Sequence, residues 1–235
     1  MKAILLAGGK GTRISRFIQD VPKCTLSIDG TPLIRRTASI FLKKGIEVIV
    51  CLGYKQEIVK NALKDLKIKY YYNPFYAVTN SLGTLWFAKE EFNDDLIIMN
   101  ADVFFDERIL DQLIESNLDC AVAVDKSRCK TGDYFFATSK NGFIRKYGKD
   151  LPLEERTCEY VGIAKIKHSF QKLFIGKMNE MISQGKYNLW WENIMYTLAD
   201  EGTNIKTLDF SKYFWSEIDF YDDYERILNY INKKS

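Results

Sequence analysis

The chain has 235 residues, 46% of them hydrophobic and 28% charged, which is enough apolar sequence for one large α/β core. Its 34 basic and 31 acidic residues nearly balance, and this argues against nucleic acid as a partner. The five cysteines are widely separated and His168 is the only histidine, which argues against a cysteine or polyhistidine metal site and against a Ser-His-Asp hydrolase.

Short apolar runs alternate with amphipathic segments through the first half of the chain. This alternation is typical of a mostly parallel sheet with helices on both faces, whose ligands bind beyond the carboxyl ends of the strands. We predict strands at 2–7, 46–52, 68–72, 96–101 and 120–124, and helices at 32–44, 55–66, 82–92 and 109–114.

The pattern changes after about residue 125, where a hairpin is predicted at 133–147 with Asn141-Gly142 at its turn. The remaining predicted elements are a strand at 158–166, helices near 168–183 and 190–201, a strand at 204–209 and a helix covering 220–231. No linker or repeat interrupts the chain, so we predict one domain, 1–235, with a small C-terminal elaboration. No apolar run reaches membrane-spanning length and no signal-peptide pattern is present, so we expect a cytoplasmic protein without a membrane partner.

The loop LLAGGKGTRIS (5–15) places three glycines and an arginine after the first predicted strand. Glycine-rich turns expose backbone N–H groups that bind phosphate oxygens. The dinucleotide fingerprint lacks its third glycine because Ile14 occupies that position, and the P-loop spacing and Lys-Ser/Thr pair are absent. A nucleotidyltransferase loop fits better, since Arg13 is followed by Pro22-Lys23, and an ordinary strand-to-helix turn is the alternative.

The segment LAGGKGTR with Pro22-Lys23 resembles the signature of the sugar-phosphate and phosphocholine nucleotidyltransferases. The resemblance spans nearly the whole chain and is closest to small bacterial cytidylyltransferases that activate phosphocholine, 2-aminoethylphosphonate or phosphoglutamine. Gly9 is a departure, because many of these enzymes have alanine there. Further similar segments follow in order: DGTPLI (29–34), NSLGTLWFA (80–88), NADVFF (100–105), EYVGIAKI (159–166), LWWENIM (189–195) and SEIDFYDDY (216–224).

This resemblance implies an α/β fold with a Rossmann-like, mostly parallel mixed sheet flanked by helices. Residues 1–125 would form the nucleotide-binding core, and residues 126–235 would bind the acceptor and complete the metal site. The implied reaction moves CMP from CTP onto phosphoglutamine, phosphocholine or a similar acceptor, for capsule or surface polysaccharide modification. Mg²⁺ is the implied cofactor, and a homodimer is compatible with the resemblance. A sugar-1-phosphate nucleotidyltransferase using another NTP and a non-catalytic nucleotide sensor remain alternatives.

Nucleotidyl transfer depends mainly on positioning and charge neutralisation, because an acceptor phosphate with a second pKa of about 6 needs no general base. The resemblance assigns Arg13 to the β- and γ-phosphates and Lys23 to the α-phosphate, with a surface position as the alternative for each. Gly83 would let the backbone approach the base, although a helix cap by Asn80 or Ser81 explains the same segment. The implied nucleotide-binding residues are Leu6, Ala7, Gly8, Gly9, Gly11, Thr12, Asn80, Ser81, Gly83, Thr84 and Ala101.

Two aspartates are the predicted Mg²⁺ ligands. Asp102 follows a predicted strand at the edge where ligands bind, and Mg²⁺ typically takes one or two carboxylates together with substrate phosphates. Asp219 is the second ligand by resemblance, but it also stands where a helix N-cap belongs, with Asp222 three residues on. A turn aspartate is the alternative for Asp102, Asp106 is expected to cap the next helix, and Glu217 and Asp222 are weaker metal candidates.

The acceptor site is predicted from side-chain chemistry. Tryptophan faces attract quaternary ammonium groups, and a carboxylate suits any amine. Core packing is the alternative for at least one of the two tryptophans. The candidate residues are Glu159, Tyr160, Trp190, Trp191 and Glu192.

Overall fold

The computed structural model describes residues 1–9 and 21–233, and strands and helices alternate along most of them. The strands are β1 (Lys2–Ala7), β2 (Ser27–Ile28), β3 (Thr31–Pro32), β4 (Glu47–Leu52), β5 (Ile68–Tyr72), β6 (Leu96–Asn100), β7 (Val103–Phe105), β8 (Cys120–Asp125), β9 (Phe135–Thr138), β10 (Ile144–Gly148), β11 (Cys158–Ile166), β12 (Lys206–Asp209) and β13 (Trp215–Glu217). The helices are α1 (Leu33–Lys43), α2 (Gln56–Ala62), α3 (Ser81–Trp86), α4 (Glu107–Glu115), α5 (His168–Ser183), α6 (Asn193–Asp200) and α7 (Tyr221–Asn232).

Nine strands form one mixed sheet within the described residues, in the order β10-β9-β11-β6-β1-β4-β5, with β8 paired to β11 and β12 paired to β8. The strands β6, β1, β4 and β5 are parallel, because helices return the chain between them. Strand β11 runs antiparallel to β6, β8 and β9, so the second half of the chain extends the same sheet. The predicted mixed sheet flanked by helices is confirmed.

Both faces of the sheet are covered, as the alternation of side chains along β1 shows. Leu5 packs into a core that includes Phe41 of α1 and Leu113 of α4. Ile4 packs into a second core, on the opposite face, that includes Phe174 of α5. Because both faces are buried, β1 reads as a continuous apolar run, and a polar ligand meets the sheet at its strand ends.

Several observed helix boundaries differ from the predicted ones. The helix predicted at 55–66 ends at Ala62, and the chain then turns through Asp65, whose φ is +70°. The helix predicted at 82–92 divides into α3 and a separate 3-10 turn at Lys89–Glu91. The helix predicted at 190–201 begins at Asn193, whose side-chain oxygen accepts the backbone N–H of Trp190 at 3.1 Å.

Other local predictions are confirmed. Strands β9 and β10 form the predicted hairpin, with Gly142 at a φ of +74° in its turn. Asp106 caps α4, since its carboxylate accepts the backbone N–H of Arg108. The five cysteines are free thiols. In the described part of the chain, no helix is both long enough and apolar enough to cross a bilayer.

Two short strand pairs were not predicted from the sequence. Strands β2 and β3 form a small hairpin, and strands β7 and β13 pair antiparallel with Val103 opposite Glu217. Neither pair has strands long enough to show a periodic pattern, and β7 and β13 lie far apart in the sequence. The β7–β13 pair brings together the two predicted metal ligands, because Asp102 immediately precedes β7 and Asp219 lies just beyond β13.

Candidate active site

A polar pocket with a cavity volume of about 260 Å³ opens at the carboxyl ends of β1 and β6. The two strands are parallel neighbours, so the residues that follow them, 7–9 and 100–102, meet at one edge of the sheet. The start of α3 forms another wall, and the second half of the chain closes the pocket with side chains from the segments around Glu192 and Glu217. The pocket therefore lies where an α/β sheet is expected to bind its ligand.

Most of the predicted site residues line this pocket. Gly11, Thr12 and Arg13 lie outside the described residues, so their assignments stay predictions. The predicted nucleotide-binding residues at the pocket wall are Leu6, Ala7, Gly8, Gly9, Asn80, Ser81, Thr84 and Ala101. The other predicted residues at the wall are Lys23, Asp102, Asp219, Trp190 and Glu192.

Gly83 does not line the pocket, contrary to the proposed approach of its backbone to a base. A Cβ atom at this position would lie 2.9 Å from the Cβ of Thr79 and 3.0 Å from the carbonyl oxygen of Tyr187. Glycine is therefore required so that α3 can pack closely against these two segments. Asn80 was predicted either to line the nucleotide site or to cap a helix, and it does both. It lines the pocket, and its side chain caps α3 by accepting the N–H of Ser81 at 2.8 Å.

Three predicted acceptor residues also lie away from the pocket wall. Glu159 is buried and pairs with the Arg128 guanidinium at 2.5 Å. The indole of Trp191 is fully buried, and its N–H donates to Oδ1 of Asn100 at 3.0 Å, so core packing is the correct reading for this tryptophan. Tyr160 is buried in the core that also contains Trp191. Trp190, by contrast, is 41% exposed at the pocket wall.

Lys23 joins the two predicted metal ligands. Its ammonium lies 2.5 Å from Oδ1 of Asp219 and 3.8 Å from Oδ2 of Asp102. The lysine side chain is only 9% exposed, so this charge is held in a partly desolvated position. One cation and two carboxylates, predicted separately from distant parts of the sequence, therefore meet at one point.

The β7–β13 pair explains why Asp102 and Asp219 meet. The backbone N–H of Ile218 donates to the carbonyl oxygen of Asp102 at 3.1 Å, which continues the pairing beyond β13. The carboxylate of Asp223 then accepts the N–H groups of Asp219 at 3.1 Å and Phe220 at 2.9 Å. Helix α7 begins at Tyr221, so Asp223 supports its first turn and the interpretation of Asp219 as the N-cap is wrong.

Two further carboxylates, Glu192 and Glu217, lie in the same pocket. The side-chain amide of Asn100 donates to both, at 3.2 Å and 3.5 Å respectively. Burial raises the pKa of Glu192 to about 7, even though the hydrogen bond from Asn100 opposes this shift. Burial and the negative charges of Asp102 and Asp219 raise the pKa of Glu217 well above its ordinary value. The pocket therefore gathers four acidic side chains, which we call its acidic floor, and burial favours the neutral form of Glu192 and Glu217 unless a cation lies beside them.

The wall formed by residues 73–84 is held by a buried amide. The Asn73 side chain donates to the hydroxyl oxygens of Thr79 at 2.8 Å and Thr84 at 3.0 Å, and both threonines line the pocket. Close packing of this wall against the end of β4 requires a glycine, since a Cβ at Gly53 would lie 2.7 Å from the Cβ of Tyr76. The shape of the wall is thus fixed by residues behind it.

Sequence reasoning missed several residues of the pocket. Glu217 was a weaker candidate than Asp219, which the resemblance favoured, and the strand of three residues that brings Glu217 to the wall leaves no pattern in the sequence. Asn100 sits inside the segment NADVFF, directly before Ala101, and this position was the available signal. The remaining unpredicted residues at the wall are Pro22, Cys24, Tyr76 and Thr79.

The donor chemistry of the pocket fits Mg²⁺. Carboxylate oxygens are the hard ligands that this ion prefers, and Asp102 and Asp219 share one cationic partner in Lys23. In the described part of the chain, no group of three or more histidine, cysteine or acidic side chains is arranged to hold a metal on its own.

Comparison with known proteins gives consistent results along the chain. Residues 3–151 match the family described as the MobA-like NTP transferase domain. The chain is 29% identical to the CTP:phosphoglutamine cytidylyltransferase of Campylobacter jejuni, with 96% of this chain and 98% of that protein covered. It is 24% identical to a choline-phosphate cytidylyltransferase of Streptococcus pneumoniae, with 89% and 86% covered.

A solved structure shows the same fold. The CTP:phosphocholine cytidylyltransferase from Streptococcus pneumoniae superposes with a TM-score of 0.82 at 19% identity, and 98% of each chain is covered. The predicted fold and the resemblance to nucleotidyltransferases are thereby confirmed, since the family match covers more than half of the chain. The chain belongs to the MobA-like NTP transferase family.

Proposed function

We propose that the protein is a Mg²⁺-dependent cytidylyltransferase, which moves CMP from CTP onto a small phosphorylated acceptor and releases pyrophosphate. The observation that carries this proposal is the meeting of Lys23, Asp102 and Asp219 beside the glycine turn at the end of β1. Relatives named for CTP with phosphoglutamine, and for choline phosphate, support the choice of nucleotide and of a phosphorylated acceptor. A cytoplasmic location and a role in capsule or surface polysaccharide modification stay predictions.

The reaction needs charge neutralisation more than proton transfer. An oxygen of the acceptor phosphate attacks the α-phosphorus of CTP, and the bond to the pyrophosphate oxygen breaks as the new P–O bond forms. The Lys23 ammonium is a compact charge on a flexible side chain, so it can stay in contact with the α-phosphate as the reaction proceeds. The backbone at Gly8 and Gly9 leaves room for the phosphates beside Lys23. Asp102 and Asp219 would hold Mg²⁺, which supplies further neutralisation of phosphate charge when bound.

The acidic floor of the pocket favours an acceptor that carries a positive group. Glu192 and Glu217 are joined through Asn100, and Trp190, which is partly exposed, lies at the same wall. A cation here would interact favourably with both carboxylates, and an ammonium group can also lie over the indole ring. We therefore infer a phosphorylated amine or amino acid of the phosphocholine or phosphoglutamine type.

The test is a panel in which each NTP is combined with Mg²⁺ and with phosphocholine, phosphoglutamine, aminoethylphosphonate or a sugar 1-phosphate. We expect pyrophosphate release with CTP and one of the amine-bearing acceptors. Release only with a sugar 1-phosphate would contradict the acceptor assignment, and binding of nucleotide without any release would favour a sensor. Asp102→Asn should abolish turnover, whereas Asp222→Asn, at an exposed position on α7, should keep it.

A further inference from the structure

Lys23 occupies a position between two groups that a metal ion would need. Its ammonium approaches carboxylate oxygens of Asp219 and Asp102 at 2.5 Å and 3.8 Å. Among the described residues at the pocket wall, it is the only cationic side chain, and the same wall carries four acidic side chains, Asp102, Asp219, Glu192 and Glu217. Lys23 is therefore a principal counter-ion of the Asp102 and Asp219 carboxylates.

A divalent cation and the ammonium compete for the same oxygens. The ammonium is held close to Asp219 in a partly desolvated site, where charge interactions are strong. A metal ion that bound Asp219 while Lys23 stayed in place would meet a like charge within contact range. Metal binding therefore requires that the ammonium move to another anion.

We propose that Lys23 acts as a resident counter-ion, which disfavours metal binding until the phosphates of a nucleotide draw its ammonium away. This inference rests on the proposed function. It adds that the metal does not bind the enzyme first but binds together with the nucleoside triphosphate. The free enzyme binds divalent metal weakly, and the triphosphate strengthens that binding by accepting the ammonium as well as by ligating the metal. Nucleotide and metal affinities are then coupled through one side chain.

The local structure allows the lysine to move while the carboxylates stay in place. Lys23 begins a short 3-10 turn and carries its charge on a flexible four-carbon stem. Asp219 is fixed by backbone bonds, because the carboxylate of Asp223 accepts its N–H and the neighbouring Ile218 donates to Asp102. Exchange of the counter-ion can therefore proceed by rotation of the Lys23 side chain while the backbone that carries Asp219 stays in place.

The test measures Mn²⁺ binding without nucleotide, by electron paramagnetic resonance, for the wild type and for Lys23→Met. We expect the variant to bind Mn²⁺ about ten-fold more tightly, since it loses a charge that competes at close range. Lys177→Met is the matched control, because Lys177 is also 9% exposed and pairs with two carboxylates, Glu180 at 2.5 Å and Glu201 at 2.6 Å. The control variant should bind Mn²⁺ like the wild type.

Equal or weaker Mn²⁺ binding by Lys23→Met would overturn the proposal, because the ammonium would then neutralise the carboxylates without competing with the metal for them. Thermal melts check folding, and Lys23→Gln, which keeps a polar group without the charge, repeats the measurement if the methionine variant is unstable. In a second arm, CTP should strengthen Mn²⁺ binding by a smaller factor in Lys23→Met than in the wild type. If CTP and Mn²⁺ show no coupling even in the wild type, the proposed function itself fails, and the two failures are thus distinguishable.

Discussion

Asp223 should be a positioning residue for the active site, although its side chain is not at the pocket wall. Its carboxylate accepts two backbone N–H groups, from Asp219 at 3.1 Å and from Phe220 at 2.9 Å. Asp223→Ala removes both bonds and frees the segment that carries the Asp219 carboxylate. The neighbouring Asp222→Ala is the matched control, because Asp222 has the same charge in the same helical turn and is exposed.

The size of the effect follows from these bonds. Each hydrogen bond to a carboxylate at a helix start contributes about 1 kcal/mol, so we expect a loss of about 2 kcal/mol in the free energy of unfolding. For a chain of this size, that corresponds to a decrease in Tm of about 4 to 8 °C. Turnover should fall further than stability alone explains, by about ten- to hundred-fold, since small displacements of a catalytic group are costly.

The assay combines thermal unfolding with the rate of pyrophosphate release at saturating CTP and acceptor. Asp222→Ala should lie within about 0.5 kcal/mol of the wild type and keep its kcat, as exposed substitutions usually do. A kcat of the wild-type value in Asp223→Ala would refute the positioning role. Equal losses in the two variants would show that only the charge of the helical turn matters.

Three other expectations follow from the structure. Although burial opposes it, hydrogen bonds from Lys2, Lys69 and a tyrosine lower the pKa of Glu91 from 4.5 to about 2. This depressed pKa stabilises the fold fully above pH 4.5, and the stabilisation is lost as the pH falls towards 2. Glu91→Gln should lower the free energy of unfolding at pH 7 by about 1–2 kcal/mol, a value reduced for solvent screening of the charges. Urea unfolding across this pH range measures the effect. Glu192→Gln should raise the KM for an amine-bearing acceptor more than the KM for CTP. Equal changes in the two KM values would contradict the proposed contact between Glu192 and the positive group of the acceptor. Asp102→Asn should lose Mn²⁺ binding in the presence of CTP while its circular dichroism spectrum stays unchanged.

The parallel part of the fold could be predicted from the sequence because its strands are buried on both faces. The run around Ile4 and Leu5 is apolar without interruption, and such runs indicate strands wherever turn residues bound them. Asp102 could be predicted for the same reason, since it follows a strand of this kind at the edge where ligands bind. The order of the strands then places it beside the glycine turn.

The remaining part of the site depends on contacts between distant residues. No local pattern shows that Val103 lies opposite Glu217, so the acidic floor could not be derived from the sequence. Two neighbouring tryptophans also look alike in the sequence, but Trp191 is held in the core by its bond to Asn100 while Trp190 is exposed. Asp222 and Asp223 present a similar ambiguity, which only the direction of their side chains resolves.

The pairing of β7 with β13 has a consequence for biosynthesis. A chain that is still emerging from the ribosome can complete the parallel strands and the glycine turn long before Asp219 has been translated. Such an intermediate would hold one of the two aspartates and lack its partner strand, so we expect it to be inactive. Activity should therefore appear abruptly when the final segment docks, and truncation before β13 should leave a chain with most of its sheet but no turnover.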